Sequence, residues 1–263
     1  MYVSVINDCR DENARGRIIA RVGACFNAPV SFIGVGSDKE AAGNLIDVLD
    51  AYGSSEGVIL CNVAPRNGSE RKWGNGTPFC HFSIGKVKLF VSFSGQTLSL
   101  ISRFKLVTSV SIFDYQESLE KMRASGYISE AQYRESAHTQ FRSFDFLPFV
   151  AGYICAGNTL PSKTVEISQE TDPSDFIWWV DNFGNCKSTI LVDTSFGERV
   201  TELNTNKGVL PFYRHLSEVP DGTLAVVIGS SGFGDQWFLE IVQQGKSAAQ
   251  VLKVSSGEVF SLN

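Results

Sequence analysis

Several features that would define other protein classes are missing from these 263 residues. No apolar run approaches the length needed to cross a bilayer, so a membrane-spanning reading is set aside. Met1-Tyr-Val-Ser-Val-Ile-Asn-Asp8 has no basic n-region and reads as a first strand rather than a signal peptide, so the expected compartment is the cytoplasm. There is no long basic run, the formal charge is -5 and the isoelectric point is about 5.3. Nucleic acid is therefore not the expected partner, because phosphate binding relies on clustered Lys and Arg. The six cysteines (9, 25, 61, 80, 155 and 186) include no CxxC pair, and most lie in apolar stretches as reduced core thiols do. The three histidines are scattered, and only the adjacent Cys80-His81 hints at metal chemistry, so no metal site is expected. Internal repeats and low-complexity segments are absent as well.

What is present is an ordinary globular balance, 43% hydrophobic and 19% charged, in a chain long enough for one large or two medium domains. Residues 2–7, 29–36, 57–63 and 86–93 are short Val/Ile/Phe-rich runs bounded by turn formers and read as strands. Ser37-Asp-Lys-Glu40 is a capping box opening a helical pattern to about Tyr52. Asp114-x-x-Glu117 and Ser129-x-x-Gln132 start two further helices, to about Ala124 and Thr139. Asp145 to Ala156 is apolar almost throughout and closes on Gly157, as a buried helix with a glycine cap does. The expected fold is thus an α/β domain over 1–157 with a mostly parallel sheet and flanking helices. A polar, Pro-containing linker follows over 158–174. Beyond it, 175–263 shows short strands at 176–181, 187–193, 198–204, 223–229, 237–243 and 249–260, which reads as a smaller all-β barrel or sandwich.

Four stretches carry side chains suited to chemistry. Gly34-Val-Gly36 follows a strand, but Lys39 stands where a dinucleotide fingerprint has its third glycine. Gly229-Ser-Ser-Gly232-Phe-Gly234 departs from the nucleophile elbow at Phe233 and has no evident histidine partner. Pro65-Arg-Asn-Gly-Ser-Glu-Arg71 follows a strand, where loops of an α/β sheet line the ligand crevice, although locally it reads as a solvated turn. Ile177-Trp-Trp-Val-Asp-Asn-Phe-Gly-Asn185 is a strand ending in a turn with one ring, two amides and one carboxylate, a set able to stack on and hydrogen-bond a flat heterocycle. Taken alone, that turn reads as a hairpin with a core phenylalanine. Ser230-Ser231 likewise reads as a turn before the strand Phe238-Leu-Glu-Ile-Val242.

Taken in order, Asn7-Asp8, Pro65-x-x-Gly-Ser-Glu-Arg71, Phe141-x-x-x-Asp145, Asp181-x-Phe-Gly-Asn185, Ser230-Ser-Gly and Leu239-Glu-Ile241 resemble the S-adenosylmethionine-dependent fluorinase/chlorinase and hydroxide adenosyltransferase (SAM hydrolase) superfamily. The likeness covers nearly the whole chain and is weaker in its N-terminal half. It implies a homotrimer with S-adenosylmethionine or adenosine bound between the N-terminal domain of one subunit and the C-terminal domain of the next. No cofactor is implied beyond S-adenosylmethionine as substrate. Carried over, Asp8 holds the ribose hydroxyls, Phe183 stacks on adenine and Asn185 hydrogen-bonds it. Asp181 approaches the methionine amine, and Ser230 or Ser231 its carboxylate. Phe141 is counted with the substrate-binding residues.

The departures concern the chemistry. Hydroxide-transferring members carry an Asp/Arg/His set. Here Arg71 is kept, but the Asp position is Ala64 and the His position is Arg142. Ala64 offers no base, and an arginine does not accept a proton near neutral pH. Halogenating members also lack that pair; Ser143 and Asn67 fall near their halide-side serine and threonine, while their tyrosine is absent at Ala64. The expected activity is cleavage of the C5′–S bond by attack of water, hydroxide or a halide-type anion at C5′, with Arg71, Arg142, Ser143 and Asn67 as the candidate catalytic residues. The alternative is a binding protein that has lost the Asp and His of the hydrolase set.

Overall fold

A computed structural model describes residues 1–64, 76–167, 174–193, 195–197 and 200–263. The candidate residues Asn67 and Arg71, with the rest of Pro65–Arg71, lie outside the described residues. The chain divides into two compact units, Met1–Ala41 with Tyr52–Gln169, and Ala42–Ala51 with Glu170–Asn263.

The first unit runs β1 (Tyr2–Asn7), α1 (Glu12–Phe26), β2 (Val30–Gly34), α2 (Asp38–Tyr52, whose residues 42–51 count with the second unit), β3 (Gly57–Asn62), β4 (Phe79–Ile84) and β5 (Val87–Ser92). It continues through α3 (Ser99–Arg103), β6 (Ser109–Phe113), α4 (Tyr115–Ala124), α5 (Glu130–His138), α6 (Arg142–Asp145), α7 (Leu147–Cys155) and β7 (Ser162–Glu166). The sheet order is β2-β1-β3-β5-β4-β6-β7. Strands β2, β1, β3 and β5 are parallel, and β4 and β7 run against their neighbours, so most strands point one way, as expected.

Local chemistry explains the helix ends. The Asp114 carboxylate accepts from the Glu117 N–H at 2.8 Å, and Ser129 and Gln132 cap each other reciprocally. At α2 the Ser37 hydroxyl accepts from the Glu40 N–H at 3.2 Å, while Glu40 reaches one residue past the usual partner to the Gly36 N–H at 2.6 Å. Helices α1 and α3 and strand β6 were not legible from pattern. In α1 only Ala14, Ile18, Val22 and Phe26 are buried, at a spacing of four. Asp11 starts it by accepting from the Asn13 and Ala14 N–H groups. The expected helix over 145–156 is α7, with Pro148 in its first turn; the short α6 precedes it, separated at Phe146 (φ -127°, ψ -57°). The stretch read as a linker, 158–174, includes β7, the edge strand paired with β6. Helices α1, α6 and α7 pack with β1, β3 and β5 around Ile18, Val22, Leu60, Phe90, Phe146 and Val150.

The second unit contains β8 (Ile177–Val180), β9 (Cys186–Asp193), β10 (Glu202–Thr205), β11 (Gly208–Tyr213), a 3₁₀ turn at Leu216–Glu218, β12 (Leu224–Phe233), β13 (Gln236–Gln243) and α8 (Ala248–Leu252). Its sheet has the order β10-β11-β12-β13-β9-β8, antiparallel except for the β11–β12 pair. The expected strand over 249–260 is corrected: α8 occupies its start, and Val259 and Leu262 form single bridges to Phe176 and Thr205. Those bridges tie the two edges of the sheet through one short segment, as barrel closure does. The strand expected at 198–204 is seen as β10, and β11 was not anticipated because Pro211 interrupts its pattern. One face of the sheet packs Cys186, Ile190, Val226, Leu239, Ile241 and Phe260. Phe238, Glu240 and Val242 occupy the other face by strict alternation along β13.

Candidate functional site

In the first unit, the chain leaves β1 for β2 on one side and returns through α2 to β3 on the other. The carboxyl end of β1 is therefore the point where the connections diverge, the place where open α/β sheets bind ligands. Asp8 stands there. Its carboxylate accepts from the Ala64 N–H at 3.2 Å and the Asn62 side-chain amide at 3.4 Å, and its own N–H donates to the Asn62 carbonyl at 3.1 Å. Asn7 behind it is buried and accepts from the Cys9 N–H at 2.8 Å, which fixes the exit of the chain. Asp8 is half-buried, fixed at a strand tip and able to accept further hydrogen bonds. Ala64 contributes a backbone donor to Asp8 and only a methyl group as side chain.

Arg142 opens α6. Its guanidinium donates to the Thr77 carbonyl and lies over two rings, 5.4 Å from the Tyr115 centroid and 5.6 Å from that of Phe79. Burial pulls its pKa down from the arginine range, partly countered by Tyr115. Burial likewise pushes the Tyr115 hydroxyl up to about 12. Gly76 makes room for this guanidinium: it has φ +79°, and a Cβ there would stand 2.4 Å from Arg142 Nη2. Phe141 caps α6, stacks on Phe144 at 5.6 Å and faces the Arg17 guanidinium at 5.3 Å. Ser143 is buried, with 4% of its surface exposed.

In the second unit, the Asp181–Asn185 turn is built by its own carboxylate. Asp181 accepts from the Phe183 N–H at 2.8 Å, the Asn185 N–H at 2.9 Å and the Asn185 side-chain amide at 3.0 Å. Backbone bonds from Gly184 to Asp181 and from Asp181 to Asn185, each 3.0 Å, close the loop. Gly184 is required twice, by φ +84° and because a Cβ would lie 2.0 Å from the Ser247 hydroxyl. Its carbonyl accepts from the Ala249 N–H at 2.9 Å, anchoring the turn to the start of α8.

The turn joins antiparallel β8 and β9 as a hairpin, as read, but Phe183 is not a core residue: 72% of its surface is exposed. The Asp181 carboxylate cannot donate, so it holds the NH₂ side of the Asn185 amide and leaves the amide oxygen out of that bond. The turn thus presents an open ring face and an oriented acceptor.

Ser230 and Ser231 do not form a turn before β13. They lie inside β12, where Ile228 pairs with Leu239 and the next pair is Gly232 with Trp237. Three residues of β12 therefore face one of β13, a bulge larger than the usual single extra residue. Ser230 is exposed, whereas Ser231 is 5% exposed. The Ser231 hydroxyl donates to Asp47 at 2.9 Å and accepts from the Lys187 ammonium, which also pairs with Asp47 at 3.2 Å and lies 5.2 Å from the Trp178 ring centroid. Glu240, opposite Lys187 in the ladder, is 9% exposed and packs under Gly229, and its buried Oε1 has no hydrogen-bond partner among the described residues. Burial raises the pKa of both Asp47 and Glu240, and Lys187 opposes it in each case. Sequence reasoning assigned no role to Asp47, Lys187 or Glu240. A signal existed for the last: a carboxylate amid the apolar run Phe238–Val242.

Residues 176–261 match the model of the SAM hydroxide adenosyltransferase C-terminal domain, which spans the turn, the bulge and all strands of the second unit. Over these residues the chain is similar to that domain family. That match agrees with the superfamily resemblance read from the motifs. Two solved structures share the fold over the full length. An uncharacterized conserved protein from Thermotoga maritima is 16% identical with a TM-score of 0.71, covering 99% of each chain. A conserved hypothetical protein from Thermus thermophilus is 18% identical with a TM-score of 0.65, covering 100% of this chain and 99% of its own. No curated protein sequence matches. Among the described residues, no helix is long and apolar enough to cross a membrane.

Proposed function

We propose that this protein binds S-adenosylmethionine and cleaves its C5′–S bond by in-line nucleophilic attack at C5′, releasing methionine. The observation that carries the reading is the Asp181–Asn185 turn within the adenosyltransferase-type domain. Its exposed Phe183 ring suits one face of adenine, and the Asn185 amide oxygen suits the adenine amino group. The Asp8 carboxylate, at the divergence of the first sheet, suits two vicinal ribose hydroxyls. Ser230 suits the methionine carboxylate. The proposal includes the homotrimer and cytoplasmic setting expected from the sequence, with each ligand held between an N-terminal domain and the C-terminal domain of a neighbouring subunit.

In the reaction, the nucleophile forms a bond to C5′ while the C5′–S pair passes to sulfur, neutralising the sulfonium and leaving the methionine thioether. Ala64 offers no proton acceptor and Arg142 is a cation, so neither activates water. An anionic nucleophile needs no base, and the buried Ser143 hydroxyl beside Arg142 is a donor suited to hold one. Asn67 and Arg71 complete the proposed catalytic set.

A second reading, binding without turnover, is favoured by Ala64 and by the engagement of Arg142 with the Thr77 carbonyl. Incubation with S-adenosylmethionine, with and without halide, separates the two. Adenosine, a 5′-halo-adenosine or free methionine supports the enzyme, whereas thermal stabilisation without product supports the binding protein.

A further inference from the structure

The bulge at Gly229–Ser231 has no ladder partner for the two serines, so something other than the sheet must hold them. Three groups do so: Ser231 is held by Lys187 and Asp47, and Gly229 packs closely on Glu240, where a Cβ would stand 2.6 Å from the carboxylate. Proton bookkeeping then separates the serines. A lysine ammonium only donates, so Ser231 accepts from Lys187. The single Ser231 proton goes to Asp47. Ser231 is buried and has no proton left for a ligand carboxylate. Ser230 is exposed, and its hydroxyl is the one that can donate.

We propose that Lys187, acting with Asp47, is a positioning residue that fixes Ser231 inside the bulge and thereby sets Ser230 as the donor to the carboxylate end of the ligand. This rests on the reading that the ligand is S-adenosylmethionine. Lys187 is placed for the task by its strand: it lies two residues beyond Asn185 on β9, opposite Glu240, so the adenine-facing turn and the serine bulge share one framework.

The test is calorimetric binding of two ligands, S-adenosylmethionine and 5′-methylthioadenosine, which lacks the amino-acid end. The proteins are the wild type, Ser230→Ala, Lys187→Met, Lys187→Arg and the Ser230→Ala/Lys187→Met double variant. Ser230→Ala and Lys187→Met are expected to weaken S-adenosylmethionine by about tenfold or more, the worth of one hydrogen bond to a carboxylate, and to leave 5′-methylthioadenosine unchanged. In the Ser230→Ala background, Lys187→Met is expected to have no further effect, and Lys187→Arg to retain binding. A Lys187→Met variant that weakens both ligands equally, or that still costs affinity once Ser230 is removed, overturns the positioning role. Failure of the wild type to bind either ligand overturns the functional reading itself, and this inference with it.

Discussion

Replacing Asp181 separates two roles for one carboxylate. The family resemblance gives Asp181 to the methionine amine, whereas in the structure both of its oxygens are taken up by the turn. The three hydrogen bonds it accepts are part-exposed and worth about 1 kcal/mol each, so about 2–3 kcal/mol of local order depends on it. Two backbone bonds and the Gly184–Ala249 anchor survive its removal. Asp181→Ala is therefore expected to cost about 1–2 kcal/mol in adenosine affinity, roughly 5- to 30-fold, although adenosine lacks the methionine amine. Asp181→Asn adds a sharper outcome. Its oxygen still receives the two backbone N–H groups, but its NH₂ now faces Asn185, which must turn its own oxygen inward and present NH₂ to the ligand. The preference should shift from adenosine toward inosine, whose purine carries an acceptor at that edge. Isothermal titration with adenosine, inosine and S-adenosylmethionine reads all three. If Asp181→Ala binds adenosine as the wild type does and loses only S-adenosylmethionine, the turn-building role is refuted.

Gly43 sits within α2, where alanine ordinarily adds about 1 kcal/mol. Here a Cβ would lie 2.0 Å from Trp178, so Gly43→Ala should instead destabilise by about 1–3 kcal/mol in urea unfolding; a gain in stability would remove that packing from the account. Asp47 and Glu240 have pKa values above their ordinary 3.8 and 4.5, so the folded state holds extra protons just above those values. Stability should therefore fall as pH rises through that window. Lys187 and Ser231 oppose the shift at Asp47, and Asp181 adds to it at Glu240. Glu240→Gln should flatten the profile of unfolding free energy against pH, and an unchanged slope would show that Glu240 is ionised at no cost. Ala64→Asp with Arg142→His should raise adenosine formation from S-adenosylmethionine by about tenfold or more, since a base is restored. No gain would mean that the backbone at these two positions differs from that of the hydroxide-transferring members.

The division into a mostly parallel α/β unit and an all-β unit was legible because period and capping agreed: Ser37, Asp114 and Ser129 each mark a helix start that the structure keeps. The elements that escaped notice are those whose burial comes from partners far away in sequence. Helix α1 shows one buried residue every fourth position amid arginines, and β11 contains a proline. The exposure of Phe183 could not be read locally, because a hairpin with a core ring has the same composition. Only the bonds that Asp181 makes turn that ring outward. The Lys187–Asp47–Ser231 network joins residues 140 and 184 positions apart, a juxtaposition that no local pattern encodes.

The central claim is that a C5′–S bond is broken. The most direct test is chromatography of S-adenosylmethionine incubated with the purified protein, with chloride or bromide present and absent. The account predicts free methionine in step with a 5′-substituted adenosine, faster with halide than with water alone. Thermal stabilisation by S-adenosylmethionine with no methionine released under any of these conditions would contradict it.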